Sequence, residues 1–331
     1  MNGSARRVVL ASTAVALTAS LLAACGSDGD GKRRSDATSA SPSAPRPAIA
    51  MSSSLPSAVV SSSPPAAPAS THPAGVSASS AAAAPAKAPT GTTKAVRPEA
   101  RMRFDYQIGG AYAPPSGVRA VSRDRSGVPV PGLYNICYIN AFQAQPDALA
   151  WWQKEHPDLL LRDGGGIVMD ADWNEALLDV STDAKRTKLS GIVGDWIDGC
   201  ARAGFQAVEP DNFESYSRSR GRLTMDDDVA FARLIAARAH AAGLAIAQKN
   251  GAEMLDRSRS IGFDFAVAEE CGEYGECGAF ASAYGNRVFV VEYAKDSFTK
   301  TCAAWRGKLS VVLRDRGVTP AGNPEHVYQA C

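Results

Sequence analysis

The sequence predicts an α/β fold, a (β/α)8 or TIM barrel, that follows a lipoprotein signal and a disordered linker. Three observations predict this arrangement. About eight short apolar runs alternate with helical patterns after residue 103, a carboxylate or an amide follows most of these runs, and the first 97 residues lack the composition of a folded domain. Apolar strands that helices separate are typical of parallel strands covered on both faces. An open doubly wound sheet is the alternative, but Gly109 and Gly110, which follow the first strand, do not begin a helical pattern.

The N-terminus has the pattern of a bacterial lipoprotein signal. Arg6 and Arg7 precede an apolar run over residues 8–24, which ends in Leu22-Ala23-Ala24-Cys25. Small residues before a cysteine resemble the lipobox, in which the thiol is diacylated. We therefore predict a signal over residues 1–25, lipidation at Cys25 and a position on the extracellular face of the cell membrane. An ordinary secretory signal is the alternative, and the run is short for a helix that spans ~30 Å of hydrocarbon.

A linker is predicted between this signal and the folded domain. Residues 41–90 contain 13 Ser, 15 Ala and 10 Pro but only two charged residues, Arg46 and Lys87. Such a segment cannot bury enough apolar surface to offset the entropy of ordering it. All five tryptophans lie at or beyond Trp151. We therefore predict a disordered linker over residues 26–97 and one domain over residues 98–331.

The charge is divided between these two parts. Residues 1–97 contain 9 Lys and Arg against 3 acidic residues, and residues 98–331 contain 26 against 31, so the parts carry +6 and −5. The basic residues lie in the tail and not on a folded face rich in aromatic residues, so no nucleic-acid partner is expected. An acidic domain suits a cationic partner. We expect a monomer without a cofactor.

The elements of the predicted barrel follow one another with short connections. One helix has its apolar face between Leu189 and Cys200 and ends at Gly204. The next begins at Thr224, since three aspartates suit the first turn of a helix, and it ends at Gly243. Shorter helices end near residues 260 and 284, and the last helix covers residues 298–305. Strands are predicted over residues 104–108, 133–139, 177–180, 205–208, 244–248, 263–268, 288–291 and 309–313.

Six cysteines remain in the exported domain, and disulfides are expected outside the cytoplasm. Six cysteines allow 15 connectivities. We favour Cys271 with Cys277, which closes a short loop, and Cys302 with Cys331, which ties down the C-terminus. Cys137 with Cys200 is the remaining pair. A zinc site is the alternative, but no histidine stands at ligand spacing from these cysteines and no Cys-x-x-Cys occurs, so no metal is expected.

Polar residues stand at the ends of the predicted strands, where barrel enzymes build their active sites. The two-residue period places Glu209 and Asp211 on one side of the fourth strand, and it places Glu269 on the same side as Phe265 and Val267. Asp211 and Glu269 then face each other across the barrel mouth, whereas Glu270 points away. Two such carboxylates can flank a glycosidic bond. The other strand-end residues are Asp179, Asn212, Lys249, Asn250, Glu292, Tyr293, Arg314 and Asp315.

Several of these residues belong to longer motifs. They are Tyr106-Gln107, Cys137-Tyr138-Ile139, Val208-Glu209-Pro210-Asp211-Asn212, Lys249-Asn250, Glu269-Glu270-Cys271 with Tyr274 and Glu276-Cys277, and Val291-Glu292-Tyr293. Over most of residues 103–331 this combination resembles the endo-alpha-1,4-polygalactosaminidases, glycoside hydrolase family 114. The resemblance implies a barrel of the α-galactosidase type that cleaves α-1,4-linked, galactosamine-rich polysaccharide with retention. It also implies that Asp211 is the nucleophile and Glu269 the acid/base.

The chain departs from this family over residues 161–180. Family members usually show a tryptophan and a glutamate ahead of the third strand's aspartate, and the segment from Asp170 to Glu175 fits that pattern poorly.

The sequence therefore predicts an anchored hydrolase that acts on an extracellular, cationic polysaccharide. A non-catalytic sugar-binding lipoprotein on the same barrel and a hydrolase of another α-linked sugar are the alternatives. The presence of both carboxylates favours an enzyme. The residues predicted to bind the substrate are Tyr106, Tyr138, Asp179, Glu209, Asn212, Lys249, Asn250, Glu270, Glu292 and Tyr293.

Overall fold

The computed structural model describes residues 95–331. The predicted signal with Cys25, and residues 26–94 of the predicted linker, lie outside the described residues. The strands are β1 (Phe104–Gln107), β2 (Ala120–Asp124), β3 (Tyr134–Asn140), β4 (Gln143–Ala144), β5 (Met169–Asp170), β6 (Glu175–Leu177), β7 (Ala207–Asp211), β8 (Ala245–Lys249), β9 (Phe265–Glu269), β10 (Val288–Glu292), β11 (Ser310–Arg314) and β12 (Tyr328–Ala330). The α-helices are α1 (Leu149–Glu155), α2 (Asp183–Ala203), α3 (Met225–Ala241), α4 (Ser258–Ile261), α5 (Cys277–Tyr284) and α6 (Lys295–Trp305). Short 3-10 helices cover Pro157–Leu159, Ser215–Arg218 and Ala252–Arg257.

Eight parallel strands form the barrel that the sequence predicts. They pair in the order β1, β2, β3, β7, β8, β9, β10 and β11, and β12 adds an antiparallel strand beside β11. The hydroxyl of Tyr328 on β12 donates a hydrogen bond to the carbonyl oxygen of Phe104 on β1 at 3.2 Å. This contact brings the two ends of the curled sheet together, so the (β/α)8 barrel is nearly closed.

One predicted barrel strand is wrong. Residues 177–180 do not enter the barrel, because Leu177 ends β6, the middle strand of a three-stranded antiparallel sheet with β4 and β5. The second barrel strand is instead β2, so the strand that carries Tyr138 is the third and not the second. The sequence of β2 is too polar to indicate a buried strand. It becomes buried because Ser122 donates to Glu209 at 2.6 Å and Arg123 donates to Gln107 at 2.9 Å.

The strands alternate between two apolar layers with the expected period of two. On β9, Phe265 and Val267 face the barrel interior, whereas Ala266 and Ala268 pack in the outer layer beneath the helices. On β7, Ala207 faces the interior and Val208 the outer layer. Side chains at the last inward-facing positions of the strands therefore meet at the carboxyl end of the barrel.

The end of α2 and the start of α3 lie where the sequence signals predict. The hydroxyl of Thr182 accepts a hydrogen bond from the backbone N–H of Lys185 at the start of α2, and Gly204 ends this helix in the left-handed conformation, with φ +96°. Thr224 and Asp227 form a capping box at the start of α3, which satisfies two backbone donors reciprocally. No helix within residues 95–331 is long and apolar enough to cross a membrane.

Three disulfides tie the barrel together, with the pairings favoured from the sequence. Cys137 on β3 is bonded to Cys200 on α2, which fixes a helix to the barrel wall. Cys271 and Cys277 close the loop between β9 and α5. Cys302 on α6 is bonded to Cys331, which holds the C-terminal residue against the domain.

Candidate active site

The last inward-facing residues of three neighbouring strands meet at the barrel mouth. They are Asp211 on β7, Lys249 on β8 and Glu269 on β9, and the residue that follows each of them has a left-handed backbone. Two of these followers are Asn212 and Asn250, with φ of +65° and +55°. Asparagine tolerates this conformation well, because its short side chain can hydrogen-bond locally. The sharp turn leaves the strand's last side chain pointing into the mouth.

Lys249 is a buried cation among carboxylates. Its side chain is 1 % exposed, and Nζ lies 3.1 Å from Asp211 Oδ1, 3.3 Å from Glu209 Oε1 and 3.5 Å from Glu269 Oε2. Burial alone would lower the pKa of Lys249, but the three carboxylates outweigh burial and raise this pKa well above its usual value. Lys249 therefore stays protonated and holds the three acids together.

Asp211 is held in the ionised form. Its Oδ2 accepts a hydrogen bond from the Tyr138 hydroxyl at 2.7 Å, and its Oδ1 accepts one from the backbone N–H of Asn212 at 2.8 Å. Burial would raise the pKa of Asp211, but the Lys249 ammonium and the Tyr138 hydrogen bond outweigh it and lower the pKa below its usual value. An ionised carboxylate at this position has the form that a nucleophile needs.

Glu269 is fixed by two neighbours. Its side chain accepts hydrogen bonds from Asn250 Nδ2 at 3.0 Å and from the Tyr293 hydroxyl. The backbone N–H of Glu269 also donates to Asn250 Oδ1 at 2.9 Å, so one asparagine orients both the side chain and the end of the strand.

The two carboxylates are close to each other, because both contact the same nitrogen atom. The nearest oxygens of Asp211 and Glu269 lie 3.1 Å and 3.5 Å from Nζ of Lys249. They cannot be further apart than the sum of these distances. This limit is compatible with the ~5–5.5 Å of retaining glycosidases and lies below almost all of the ~6.5–9.5 Å of inverting ones.

A cleft of about 260 Å³ opens above this cluster. Of the predicted site residues, six line it: Tyr138, Asp211, Asn212, Asn250, Glu269 and Tyr293. The sequence did not single out several other lining residues, namely Gln145, Trp173, Glu175, Glu214, Arg218 and Arg316. Four carboxyl groups and two guanidinium groups therefore line the cleft, which is acidic above about pH 7, where Glu175 and Glu214 are ionised.

Glu175 is a third carboxylate near Asp211 and Glu269. Its Oε2 accepts hydrogen bonds from Asn140 Nδ2 at 2.8 Å and from Asn212 Nδ2 at 3.2 Å. Burial raises the pKa of Glu175 to about 7, and the charge of Asp211 raises it further against these hydrogen bonds. This carboxyl therefore changes its charge near neutral pH.

The segment over residues 161–180 does bring a tryptophan and a glutamate to the cleft. Trp173, which is 50 % exposed, lines it together with Glu175. The segment from Asp170 to Glu175, whose sequence fits the family pattern poorly, therefore still places both residue types at the cleft. The sequence feature that could have predicted this was the pair Trp173-x-Glu175 itself. Strand β6 is too short for its periodicity to show that Glu175 faces the cleft.

Glu214 is partly buried at the edge of the cleft. Burial raises its pKa to about 7, and Arg218 at 3.4 Å opposes this shift. Arg218 also contacts Asp170 at 3.0 Å. Glu214 follows β7 by three residues, and this position after a barrel strand was the signal that could have found it.

Three predicted site residues lie beneath the cleft and contact protein groups instead. Tyr106 donates to Glu209 at 2.8 Å, and the Nζ of Lys249 donates to the Tyr106 hydroxyl at 2.9 Å. Burial raises the pKa of both Tyr106 and Glu209, and Lys249 opposes this shift for Glu209. This layer supports Asp211 and Glu269 from below.

The other predicted binding residues also lie off the cleft surface. The Glu270 carboxylate accepts a hydrogen bond from Arg316 at 2.8 Å, which fits the prediction that it points away from the mouth. Glu292 accepts a hydrogen bond from the backbone N–H of Gly272 at 2.8 Å, behind the loop that follows β9. Asp179, which does not end a barrel strand, accepts a hydrogen bond from the backbone N–H of Ser181 at 3.1 Å.

Known proteins share this architecture. Residues 84–331 match the model of glycoside-hydrolase family GH114. Aspergillus fumigatus Ega3, solved in complex with galactosamine, is 21% identical, and the match covers 73% of this chain and 100% of that chain with a TM-score of 0.58. The glycoside hydrolase domain of PelA from Pseudomonas aeruginosa is 14% identical over 67% of this chain and 97% of that chain, with a TM-score of 0.47. No curated protein sequence matches this chain significantly. The likeness to Ega3 supports the barrel fold.

Proposed function

Because the chain belongs to glycoside-hydrolase family GH114, and is therefore a glycoside hydrolase, we propose that it cleaves α-1,4-linked, galactosamine-rich polysaccharide at internal bonds with retention. The observation that carries this proposal is the pairing of Asp211 and Glu269 around Lys249 at the base of an acidic cleft. One carboxylate is held ionised, and both lie within 3.5 Å of the same lysine nitrogen, which admits the short separation of retaining enzymes.

The charge of the cleft favours a cationic sugar. Its lining has four carboxylates against two arginines, so it attracts a protonated 2-amino group. Glu175 and Glu214 are the two carboxylates that the catalytic pair does not use. The galactosamine complex of Ega3, a protein with the same fold, agrees with this substrate class.

The surroundings of the cleft favour internal cleavage. A second cavity shares the lining residue Gln145 with the cleft, and a third shares Ile108 and Gly109 with it. All three are lined by Gln145, so they adjoin one another, and an extended chain can bind in them beyond the candidate pair of carboxylates.

The proposed reaction has two steps, of which the first forms a covalent intermediate. A carboxylate oxygen of Asp211 attacks the anomeric carbon and forms a glycosyl ester, while protonated Glu269 gives its proton to the leaving oxygen as the glycosidic bond breaks. Tyr138 and Lys249 keep Asp211 ionised and oriented until the attack.

In the second step Glu269, now a carboxylate, accepts a proton from water. The hydroxide oxygen attacks the anomeric carbon on the face that the leaving group vacated, and the Asp211 ester breaks. Two inversions give net retention.

The test uses two variants and one stereochemical measurement on α-1,4-galactosamine oligosaccharides. Asp211→Asn is expected to abolish turnover in a protein that still folds, because the amide has the same shape but cannot form the ester. Glu269→Gln is expected to lower the rate by about 100- to 10,000-fold, the usual contribution of general acid catalysis. Substrates with activated leaving groups should be much less affected in the first step.

Proton NMR of the first product gives the stereochemistry. The α-anomer is expected. A β-anomer would refute retention, and full activity of Asp211→Asn would refute the assigned nucleophile.

We also propose that Cys25 anchors the enzyme to the extracellular face of the membrane through a lipid. The lipobox sequence and the linker composition support this. Cys25→Ala is expected to move the protein from the membrane fraction to the soluble fraction with unchanged activity. A variant that stays in the membrane fraction would contradict the lipid anchor.

A further inference from the structure

A second cavity, of about 290 Å³, adjoins the catalytic cleft. Gln145 lines both. Asn140 lines the second cavity and donates a hydrogen bond to Glu175, which lines the cleft. The volume lies near the lower end of the ~300–1,000 Å³ typical of ligand sites, which suits a single sugar ring. A polysaccharide chain in the cleft can therefore place a neighbouring residue in this cavity.

The charge of the second cavity is opposite to that of the cleft. Among the described residues that line it there is no carboxylate, and Arg125 contributes a guanidinium group. A protonated amino sugar would meet this like charge without a neutralising acid, which disfavours binding. Asn140, Gln143 and Gln145 supply amide groups, which hydrogen-bond well to an uncharged acetamido group.

Aromatic rings form the walls of the cavity. Trp151 is 43 % exposed, and its ring packs edge-on against the buried Trp152, with 5.0 Å between the ring centroids. This packing holds Trp151 in place. The guanidinium of Arg125 lies 4.7 Å from the ring centroid of Trp196, so that ring already has a cationic partner. The exposed ring of Trp151 is free to take the apolar face of a sugar or an acetyl methyl group.

A hydrogen-bond acceptor at this cavity lacks a partner. Gln143 lines the cavity, and its buried Oε1 atom accepts no hydrogen bond from any of residues 95–331. A buried acceptor without a donor destabilises the protein. The N–H of an acetamido group is a donor that would remove this cost.

We propose that the second cavity is a subsite for one N-acetylated hexosamine residue of the polysaccharide chain whose cationic galactosamine residues occupy the cleft. This inference rests on the proposed function and deepens it. The acidic cleft binds galactosamine residues, and the adjoining cavity, in which Arg125 and no described carboxylate lie, binds the N-acetylated residue. The enzyme therefore selects chains by their acetylation pattern and cuts at a fixed distance from an N-acetyl group.

The test compares α-1,4-linked galactosamine heptasaccharides that are fully deacetylated or carry one N-acetyl group at a defined position. For the full-length wild-type chain, kcat/KM is expected to be about tenfold higher for the one acetylated isomer that fills the cavity. Mass spectrometry of the products should show the N-acetyl group at a constant distance from the cut. Equal rates and random cut positions would overturn the inference and leave the proposed function standing.

Variants assign this preference to the cavity. Trp151→Ala is expected to remove most of the tenfold preference, because the exposed ring is lost. Arg125→Glu is expected to reverse the preference toward the fully deacetylated oligosaccharide. Leu234→Ala is the matched control, since this side chain is 41 % exposed on α3 and lines neither cavity. This variant should prefer the acetylated heptasaccharide as strongly as the wild type does. A preference unchanged in both cavity variants would overturn the assignment.

A binding measurement separates failure of this inference from failure of the proposed function. Asp211→Asn protein is titrated by calorimetry with the acetylated heptasaccharide, with and without Trp151→Ala. Weaker binding in the double variant supports the subsite even when no bond is cleaved. Cleavage of neither oligosaccharide overturns the proposed function, and binding that Trp151→Ala does not change overturns the subsite.

Discussion

Removing the cation that joins the catalytic carboxylates should change both stability and pH dependence. Lys249→Met keeps most of the side-chain length and removes the charge. In the wild type, Nζ lies 3.1 Å from Asp211, 3.3 Å from Glu209 and 3.5 Å from Glu269, and the lysine is 1 % exposed. Without it, three carboxylates share one site with no cation among them.

The size of the effect follows from this geometry. Removing one partner of a buried ion pair costs about 3–5 kcal/mol. An opposite charge within ~4–6 Å lowers a carboxyl pKa by about 1–3 units, so its loss should raise the pKa of Asp211 by a similar amount. In the wild type the pKa of Asp211 is lowered, so its stabilising contribution is present at neutral pH and is lost as the pH falls. In the variant burial raises this pKa, so the deficit should be largest at neutral pH and should shrink toward acid pH.

Two measurements check this reasoning. The acid limb of the kcat/KM profile on galactosamine oligosaccharides should move to higher pH by about 1–3 units, as the catalytic pKa moves. Guanidinium unfolding at pH 5 and pH 8 gives the change in free energy of unfolding. Lys300→Met, on the exposed side of α6, is the control and should match wild type in both.

An acid limb that coincides with that of wild type in folded Lys249→Met protein would refute the electrostatic role of this lysine. Tyr138→Phe provides a second route, because it removes only the 2.7 Å hydrogen bond to Asp211. Its acid limb should move in the same direction by less than about one unit, which corresponds to ~1.4 kcal/mol. No movement in this variant would contradict the account of the Asp211 pKa.

Three further predictions follow from the same structure. Glu270→Gln should keep kcat within about tenfold of wild type, since Glu270 pairs with Arg316 and does not line the cleft. A fall in kcat of about 100-fold or more, the size expected of general acid catalysis, would show that Glu270 and not Glu269 is the acid/base. In the wild type, KM for the cationic substrate should rise as the pH falls below about 7, where Glu175 and Glu214 become neutral. Glu175→Gln should raise KM above pH 7 and reduce this step, and the double variant with Glu214→Gln should remove it. A step of wild-type size in Glu175→Gln would exclude Glu175 as a cause. We propose that the domain folds from residue 98 onward, so a chain that starts there should unfold cooperatively, and a non-cooperative melt would refute this boundary. Its melting temperature should lie a few degrees below that of a chain starting at residue 95, because the shorter chain lacks the hydrogen bond that Arg97 donates to Asp264 at 2.8 Å.

The sequence predicted the centre of the candidate site, because the information there is local. Alternation with a period of two is a property of a single strand, and it placed Asp211 and Glu269 on inward faces before any partner strand was known. The cap at Thr224 and the glycine that ends α2 are likewise predicted from residues within one turn of helix. The acid that points away from the mouth, Glu270, was assigned by the same period.

Only the tertiary structure decided which polar residues are buried and what they contact. Ser122 lies on a strand that the sequence could not show, because it is buried through a hydrogen bond to Glu209, 87 residues away. Burial of a polar group depends on a partner that satisfies it, and distant partners leave no periodic signal. For the same reason the sequence did not predict Glu175, which follows β3 in the chain and is held at the cleft by hydrogen bonds from Asn140 and Asn212. Local periodicity therefore determined the catalytic layer, whereas non-local hydrogen bonds decided its supports and the wall of the cleft.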